Sequence, residues 1–327
     1  MKMFLKLVRW PNLLIAAFTM ILMRYAVIEP VISKITVSLS VNPNELIPLS
    51  LKFPWYDFLI LILATVSLMA GGYVINDYFD IKTDLLNRGE VIVGTRIPRR
   101  KALLWHNILN LTGVTCGFYV SWRAGYFWMG ILFLIVSGLL YFYSASYKRQ
   151  FLVGNLVVAV LTAMVPLLVV LYEWPALYRY YEVNAVSSPD INIIFYWVGG
   201  FALFAFITTL TREIIKDIED FEGDLAYGRN TVPVVTGILT ARIIAIVLIA
   251  VTIIMLYVVW KMFLNDNITL FYISLAIVMP LIVIIRILAS SPGRSRLHRA
   301  STLMKITQCT GVLYSVMVKL ILDLKLV

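Results

Sequence analysis

The sequence predicts an all-α, polytopic membrane protein. Hydrophobic residues make up 61% of the 327-residue chain, and only 14% of the residues are charged. Soluble domains contain about 45–50% apolar residues and cover themselves with charged side chains. The mean hydropathy is +0.89. This composition cannot supply the surface of a large soluble protein, so lipid is the expected solvent for much of the chain.

Nine apolar stretches are long enough to cross a bilayer, because a helix of about 20 residues spans a hydrocarbon core of ~30 Å. The basic start of the chain resembles a signal peptide, but its apolar run is too long and no small-residue cleavage site follows, so we predict a retained first helix. We expect one integral-membrane domain over residues 1–327. The nine stretches lie near residues 10–29, 56–79, 101–122, 125–145, 152–172, 193–215, 239–260, 268–289 and 303–322.

The distribution of basic residues predicts the orientation. With the N-terminus in the cytoplasm, most of the 28 Lys and Arg residues fall in cytoplasmic segments, as is typical of membrane proteins. This excess explains the net charge of +10 without a nucleic-acid partner. We therefore expect a cell (inner) membrane protein with its N-terminus and active site cytoplasmic and its C-terminus outside. The longer outward loops fall near 30–55 and 173–192, and nothing indicates an obligate protein partner.

Two acidic segments stand at the cytoplasmic ends of apolar stretches, where a carboxylate is costly to bury and marks a functional site. Residues 76–84 read NDYFDIKTD, and residues 217–224 read DIEDFEGD. If the second long helix continues through 84, Asn76, Asp80 and Asp84 share one face at i, i+4 and i+8. The second segment has a similar spacing, with Asp217, Asp220 and Asp224 at i, i+3 and i+7.

Oxygen-only ligands of this kind suit Mg²⁺, which binds through one or two carboxylates together with substrate phosphates. One acidic segment alone is equally well explained as a solvated helix end. Two such segments on the same side of the membrane favour a shared function, which is to hold divalent cations against a diphosphate. Arg212 and Lys216 lie at membrane depth just before the second segment, where they could complete a diphosphate clamp.

Other polar residues on the cytoplasmic side are candidates on weaker grounds. Residues 143–149 (YSASYKR) end the fourth apolar stretch, and Tyr143 and Lys148 there are typical both of interfacial anchors and of a site. Asn12 opens the first predicted helix and is a candidate for substrate binding. Arg24 lies deep in that helix, where it either snorkels outward or lines a cavity.

The motifs NDxxDxxxD at 76–84, DxxxD at 220–224 and YSxxxK at 143–148 resemble those of the UbiA-type intramembrane prenyltransferases. The resemblance implies nine transmembrane helices around a central cavity, with a cap over a Mg²⁺–diphosphate site. It also implies that Asp77, Asp217 and Lys148 are catalytic. The implied metal ligands are Asn76, Asp80, Asp84, Asp220 and Asp224. The candidate substrate-binding residues are Asn12, Arg88, Tyr143, Lys148, Arg212 and Lys216.

The activity that this resemblance implies is Mg²⁺-dependent transfer of a long isoprenoid from a prenyl diphosphate donor to a lipophilic acceptor within membrane lipid. Residues 9–14, 72–80 and 212–224 are most similar to the branch that uses geranylgeranylglycerol phosphate in ether-lipid synthesis. The alternative within the family is an aromatic prenyltransferase of menaquinone or ubiquinone biosynthesis. The alternative of another class is a cation-coupled transporter, although a transporter would place its acidic residues near the bilayer midplane.

Overall fold

The structure is a computed structural model that describes residues 2–81, 85 and 91–324. The helices, in chain order, are α1 (Lys2–Leu7), α2 (Trp10–Ile32), α3 (Trp55–Phe79), α4 (Arg99–Arg123), α5 (Phe127–Ala145), α6 (Val153–Asn184), α7 (Ile193–Glu219), α8 (Phe221–Ala226), α9 (Val232–Thr236), α10 (Ile238–Leu264), α11 (Asn267–Ala289) and α12 (Arg294–Asp323). Strands β1 (Thr36–Leu39) and β2 (Asn42–Pro48) form an antiparallel hairpin in which Thr36 faces Pro48.

A long helix lies at each of the nine predicted stretches. Within the described residues, eight of these helices are long and apolar enough to cross a membrane. The exception is α4, whose first turn carries Arg99, Arg100 and Lys101 and whose length is interrupted by further polar side chains. The protein is thus an all-α, polytopic integral membrane protein, as predicted, while the count of nine crossings stays a prediction.

The helices pack around two main clusters of apolar side chains. The first joins α2, α3 and α6, with Met20, Leu61 and Val170 fully buried. The second joins α7, α10, α11 and α12, with Ile214 and Met304 fully buried. The outward faces are also apolar, which is expected for helices that are solvated by lipid rather than water.

The predicted outward loop over 173–192 is largely helical, because α6 continues to Asn184. Its end pairs with the hairpin: Ser40 N–H donates to the Asn184 carbonyl over 2.8 Å. This contact satisfies backbone groups beyond the apolar stretch. The helix therefore extends past the end that the hydrophobic pattern predicted. The hairpin lies at the start of α3, whose 25 residues extend about 37 Å to the first acidic segment.

Arg24 neither snorkels outward nor stands alone, because it is buried against Glu173 with 3.2 Å between Arg24 Nε and Glu173 Oε2. Arg24 also donates to the carbonyl of Phe53. The other oxygen of Glu173 accepts from the backbone N–H of Lys52 and of Phe53, over 2.7 and 2.9 Å. These contacts tie α2, α6 and the segment before α3 together at the hairpin end of the molecule.

The helix α3 ends before Asp80, so the continuous helix that was the condition for aligning Asn76, Asp80 and Asp84 on one face is not formed at Asp80. The helix ends at Phe79, and Asp80 adopts φ −91° and ψ 5°. Asp220 ends α7 in nearly the same conformation, with φ −96° and ψ 10°. In both places the chain leaves the helix at an aspartate whose side chain is engaged by cations. Asp84 lies outside the described residues.

Candidate active site

Both acidic segments open onto one large cavity of about 1000 Å³ between α2, α3, α5, α6, α7 and α12. Its deeper wall is apolar, with Met69, Val165 and Phe204 among the lining residues. Its rim carries two groups of polar side chains. The first is called the donor group, because the sequence predicts that the diphosphate of a prenyl donor binds there, and it consists of Asn76, Asp80, Lys148, Asp220, Asp224 and Arg229. The second group consists of Arg9, Asn12, Arg212, Glu213, Lys216 and Lys305.

Cations join the two acidic segments in the donor group. Lys148 Nζ lies 2.8 Å from Asp80 Oδ2 and donates to Asn76 Oδ1 over 3.1 Å. Arg229 contacts Asp80 Oδ1 over 2.6 Å and Asp224 Oδ1 over 3.4 Å. Carboxylates that lie far apart in the sequence therefore share one partner, which is what a site built from both segments requires.

Burial and charge set the protonation of this group. Burial alone would raise the pKa of Asp80, but the charges of Lys148 and Arg229 lower it below its ordinary value, so Asp80 is ionised. Burial lowers the pKa of Lys148 against the attraction of Asp80. Burial raises the pKa of Asp224 to about 6, with Arg229 opposing the rise. The pKa shifts of Lys148 and Asp224 thus follow burial, whereas that of Asp80 follows the two cations beside it.

Two glycines allow the chain to place these cations. A Cβ at Gly154, in the first turn of α6, would lie 2.7 Å from the Cα of Lys148, so this close approach needs a residue without a side chain. Gly228 has φ +63°, which lets the chain turn so that Arg229 N–H donates to the Asp224 carbonyl over 2.9 Å. Asn230 N–H then donates to the Arg149 carbonyl, which joins the Lys148 and Arg229 segments.

The second group lies where α2, α3, α7 and α12 meet. Arg9 Nη2 contacts Asp77 Oδ1 over 2.9 Å, and the Arg9 guanidinium stacks on the Tyr73 ring. Asn12 donates to the Tyr73 hydroxyl over 3.2 Å and accepts from Lys305 Nζ over 2.6 Å. The same group contains Arg212, Glu213 and Lys216 of α7, in which the glutamate pairs with both cations.

Within α7, Glu213 is the shared partner of two predicted substrate-binding residues. Its Oε1 lies 3.2 Å from Arg212 Nη1, and its Oε2 lies 2.9 Å from Lys216 Nζ. One turn further along, Asp217 Oδ2 accepts from Asn155 Nδ2 over 2.8 Å. These side chains all line the cavity.

The remaining predicted site residues divide into two sets. Tyr143 and Asp220 line the cavity, and Asp220 lies 3.7 Å from Arg294 at the start of α12. Arg88 and Asp84 lie outside the described residues. The structure thus brings Asn12, Asn76, Asp80, Tyr143, Lys148, Arg212, Lys216, Asp217, Asp220 and Asp224 to one cavity.

The donor group has the chemistry of a site for a hard divalent cation. Its ligands are carboxylate and amide oxygens, which Mg²⁺ prefers. Across residues 2–81, 85 and 91–324, no three Asp, Glu, His or Cys side chains converge closely enough to hold a metal by themselves. Mg²⁺ does not need such a cage, because it binds through one or two carboxylates and completes its shell with waters and phosphate oxygens.

Several residues of the site were not among the candidates from sequence. As one of the cytoplasmic basic residues, Arg229 was expected either to set the orientation or to hold an acceptor phosphate, whereas the structure places it between Asp80 and Asp224. Asn155 and Glu213 are polar residues within apolar stretches, which is a signal in itself. Arg9 and Lys305 gave no such signal, because basic residues near the ends of membrane helices are common.

The geometry is that of a helical bundle in the membrane, with a cavity rimmed by two acidic segments and their cations. The model of the UbiA prenyltransferase family matches residues 46–307. The chain belongs to the UbiA prenyltransferase family, and the resemblance that its motifs carried is confirmed.

The chain is also similar to individual curated proteins. A digeranylgeranylglyceryl phosphate synthase from Thermococcus kodakarensis is 30% identical over 240 residues, which are 73% of this chain and 76% of that protein. A protein of the same name from Methanosphaera stadtmanae is 31% identical over 198 residues, or 60% of this chain and 64% of that protein.

Solved structures share the fold over nearly the whole chain. One, described as a digeranylgeranylglyceryl phosphate synthase in membranes, has a TM-score of 0.63 at 20% identity and covers 97% of this chain and 98% of its own. A UbiA homologue from Archaeoglobus fulgidus bound to GPP and Mg²⁺ has a TM-score of 0.54 at 18% identity, with coverage of 96% and 99%. At these identities the likeness establishes the shared fold.

Proposed function

We propose that the protein is a Mg²⁺-dependent geranylgeranyltransferase that converts geranylgeranylglyceryl phosphate into digeranylgeranylglyceryl phosphate, in ether-lipid synthesis. The observation that carries this proposal is the convergence of both acidic segments on one cavity, with Lys148 and Arg229 between Asp80 and Asp224. The names of the similar proteins from Thermococcus kodakarensis and Methanosphaera stadtmanae support the choice of acceptor.

The donor group is the proposed site of the prenyl diphosphate. Asn76, Asp80, Asp220 and Asp224 would hold Mg²⁺, together with Asp84 of the same first segment. When bound, Mg²⁺ supplies charge neutralisation to the leaving diphosphate. The Archaeoglobus fulgidus homologue, which binds GPP and Mg²⁺, supports this assignment.

The proposed cations of this site are Lys148, Arg229 and Arg88, which would contact diphosphate oxygens that Mg²⁺ does not neutralise. Lys148 and Arg229 are held in place by their contacts with Asp80. Such preorganised charge stabilises a transition state without reorganisation at the moment of reaction.

The proposed reaction exchanges one carbon–oxygen bond for another. The bond between the allylic carbon and the donor diphosphate breaks, and an ether bond forms between that carbon and the glycerol oxygen. Diphosphate leaves, and the hydroxyl proton passes to a carboxylate or to the released diphosphate. Asp217 and Asp77 are the proposed carboxylates, although Asp77 is paired with Arg9. The apolar wall and Tyr143 would shield the electron-poor carbon from water.

The proposed setting is the cell membrane, with the N-terminus and the site on the cytoplasmic face and the C-terminus outside. The excess of basic residues on the side of the acidic segments supports this orientation. We further propose that residues 1–327 form one domain, because residues near both ends of the chain, Arg9 and Lys305, line the same cavity.

The test is an incubation of purified protein with geranylgeranyl diphosphate and Mg²⁺, with products identified by mass spectrometry. The acceptors are geranylgeranylglyceryl phosphate, 4-hydroxybenzoate and dihydroxynaphthoate. We expect product from geranylgeranylglyceryl phosphate alone. Prenylation of only the aromatic acids would replace the proposal with a quinone-pathway enzyme, and no turnover of the donor with any acceptor would remove the enzyme class.

A further inference from the structure

The second group of polar side chains at the rim has more positive charge than its carboxylate neutralises. Arg212 and Lys216 share Glu213, so that two cations face one carboxylate. Lys305 reaches the same cavity from α12, and its Nζ donates to the neutral amide oxygen of Asn12 over 2.6 Å. These three cations form ion pairs with one carboxylate, Glu213, which leaves an excess of two positive charges, because the nearby Asp217 is held by the Asn155 amide and forms no ion pair with them in the described residues.

This excess lacks a partner in the part of the chain that the structure describes. Lys305 makes no ion pair there, and Arg212 Nε is buried without a hydrogen-bond partner. Arg9, Arg212 and Lys305 line the same cavity, and the positive charges of Arg212 and Arg9 both act on the Lys305 ammonium. Like charges that are partly removed from water are costly, and an anionic ligand would remove that cost.

The size of the excess identifies the chemistry of that ligand. A phosphate monoester carries about −1.5 to −2 charges at neutral pH and offers three strong acceptor oxygens. An aromatic carboxylate carries a single charge. The donor group, in turn, has its own cations in Lys148 and Arg229, which contact Asp80 rather than Glu213.

Building on the proposed function, we infer that Lys305, Arg212 and Lys216 form the binding site for the phosphate monoester of the acceptor, separate from the site of the donor diphosphate. Asn12 holds Lys305 in place and is itself fixed by the Tyr73 hydroxyl. Tyr143 and the residues of both groups line the same cavity, so the two anion sites open onto one space. An acceptor held there would present its glycerol end near the donor group.

The experiment compares Lys305→Gln with Arg299→Gln, which removes the same charge from an exposed residue of the same helix. Steady-state kinetics are measured with geranylgeranylglyceryl phosphate, with its dephosphorylated form geranylgeranylglycerol, and with geranylgeranyl diphosphate as the donor. In Lys305→Gln we expect the KM for the phosphorylated acceptor to rise roughly tenfold or more, as one lost hydrogen bond to a charged group predicts. The KM for the donor and turnover of the dephosphorylated acceptor should match those of Arg299→Gln.

The outcomes separate this inference from the proposed function. If wild type prenylates geranylgeranylglyceryl phosphate but Lys305→Gln keeps the same preference for it over the dephosphorylated form, the phosphate site lies elsewhere and the inference is overturned while the function stands. If wild type does not use this acceptor, both fall. Should Lys305→Gln fail to elute as folded protein in size exclusion, Lys216→Gln provides the same comparison, and an unchanged preference there overturns the inference equally.

Discussion

The guanidinium of Arg229 lies 2.6 Å from the carboxylate of Asp80, although 149 positions separate the two residues in the chain. The same guanidinium contacts Asp224 over 3.4 Å. One cation therefore connects the end of α3 to the segment after α8. Because these charges are largely buried, the contact holds the two carboxylates in a fixed arrangement.

The Arg229 bridge predicts the effect of its removal. In Arg229→Gln the two carboxylates lose their shared partner and repel each other, so donor binding should weaken. We expect kcat/KM for geranylgeranyl diphosphate to fall about 10- to 100-fold, the range for hydrogen bonds to charged groups. Arg229→Lys keeps the charge but not the planar fork, so its loss should be intermediate. Equal kinetics for both variants and wild type would contradict a role for the bridge.

The close approach of Gly154 to Lys148 predicts that one added methyl group lowers the rate of prenyl transfer. In Gly154→Ala the new Cβ would lie 2.7 Å from the backbone of Lys148, so the segment that carries this lysine must move. A displacement of about 1 Å at a reacting centre can cost roughly 10² in rate. The matched control is Gly200→Ala, in a helix where a Cβ meets nothing within 4 Å. Prenyl transfer assays should show a large loss for Gly154→Ala only, and equal rates would show that the close approach is relaxed easily.

The Arg24–Glu173 pair predicts a loss of stability rather than of chemistry, because it lies at the hairpin end of the molecule. Arg24→Met leaves Glu173 buried without its cation, and such a change costs about 3–5 kcal/mol. Thermal unfolding in detergent should show a clear drop in Tm. The double variant Arg24→Met/Glu173→Gln should recover part of the loss, and an Arg24→Met protein as stable as wild type would show that the pair contributes little.

The sequence predicted the elements of this fold because lipid imposes a simple rule on composition and length. Apolar stretches of about 20 residues located the long helices. The end of α6 was missed because its last turns are stabilised by contacts with the hairpin, and such contacts leave no trace in hydropathy. The break of α3 at Asp80 was missed because the cations that hold this residue come from distant segments.

The candidate site was predictable only in part from the sequence. Carboxylates beside apolar helices are rare enough to be informative, so the aspartates that line the cavity were found directly, whereas Glu213 was not. The sequence did not distinguish the cations of the site from other basic residues, since most basic residues on one side of a membrane protein only set its orientation. Arg229, Arg9 and Lys305 became distinguishable only through their contacts with Asp80, Asp77 and Asn12.

The proposal that both acidic segments hold one Mg²⁺–diphosphate group is tested by prenyl transfer from geranylgeranyl diphosphate. Wild type, Asp80→Asn and Asp220→Asn are each assayed with excess EDTA and with Mg²⁺ restored. Glu222→Gln is the control, because Glu222 belongs to the second segment but its side chain is exposed. Wild type and the control should be active only with Mg²⁺, and each aspartate variant should lose about 10³ in rate. Transfer that continues in EDTA, or an aspartate variant with the wild-type rate, would contradict the claim.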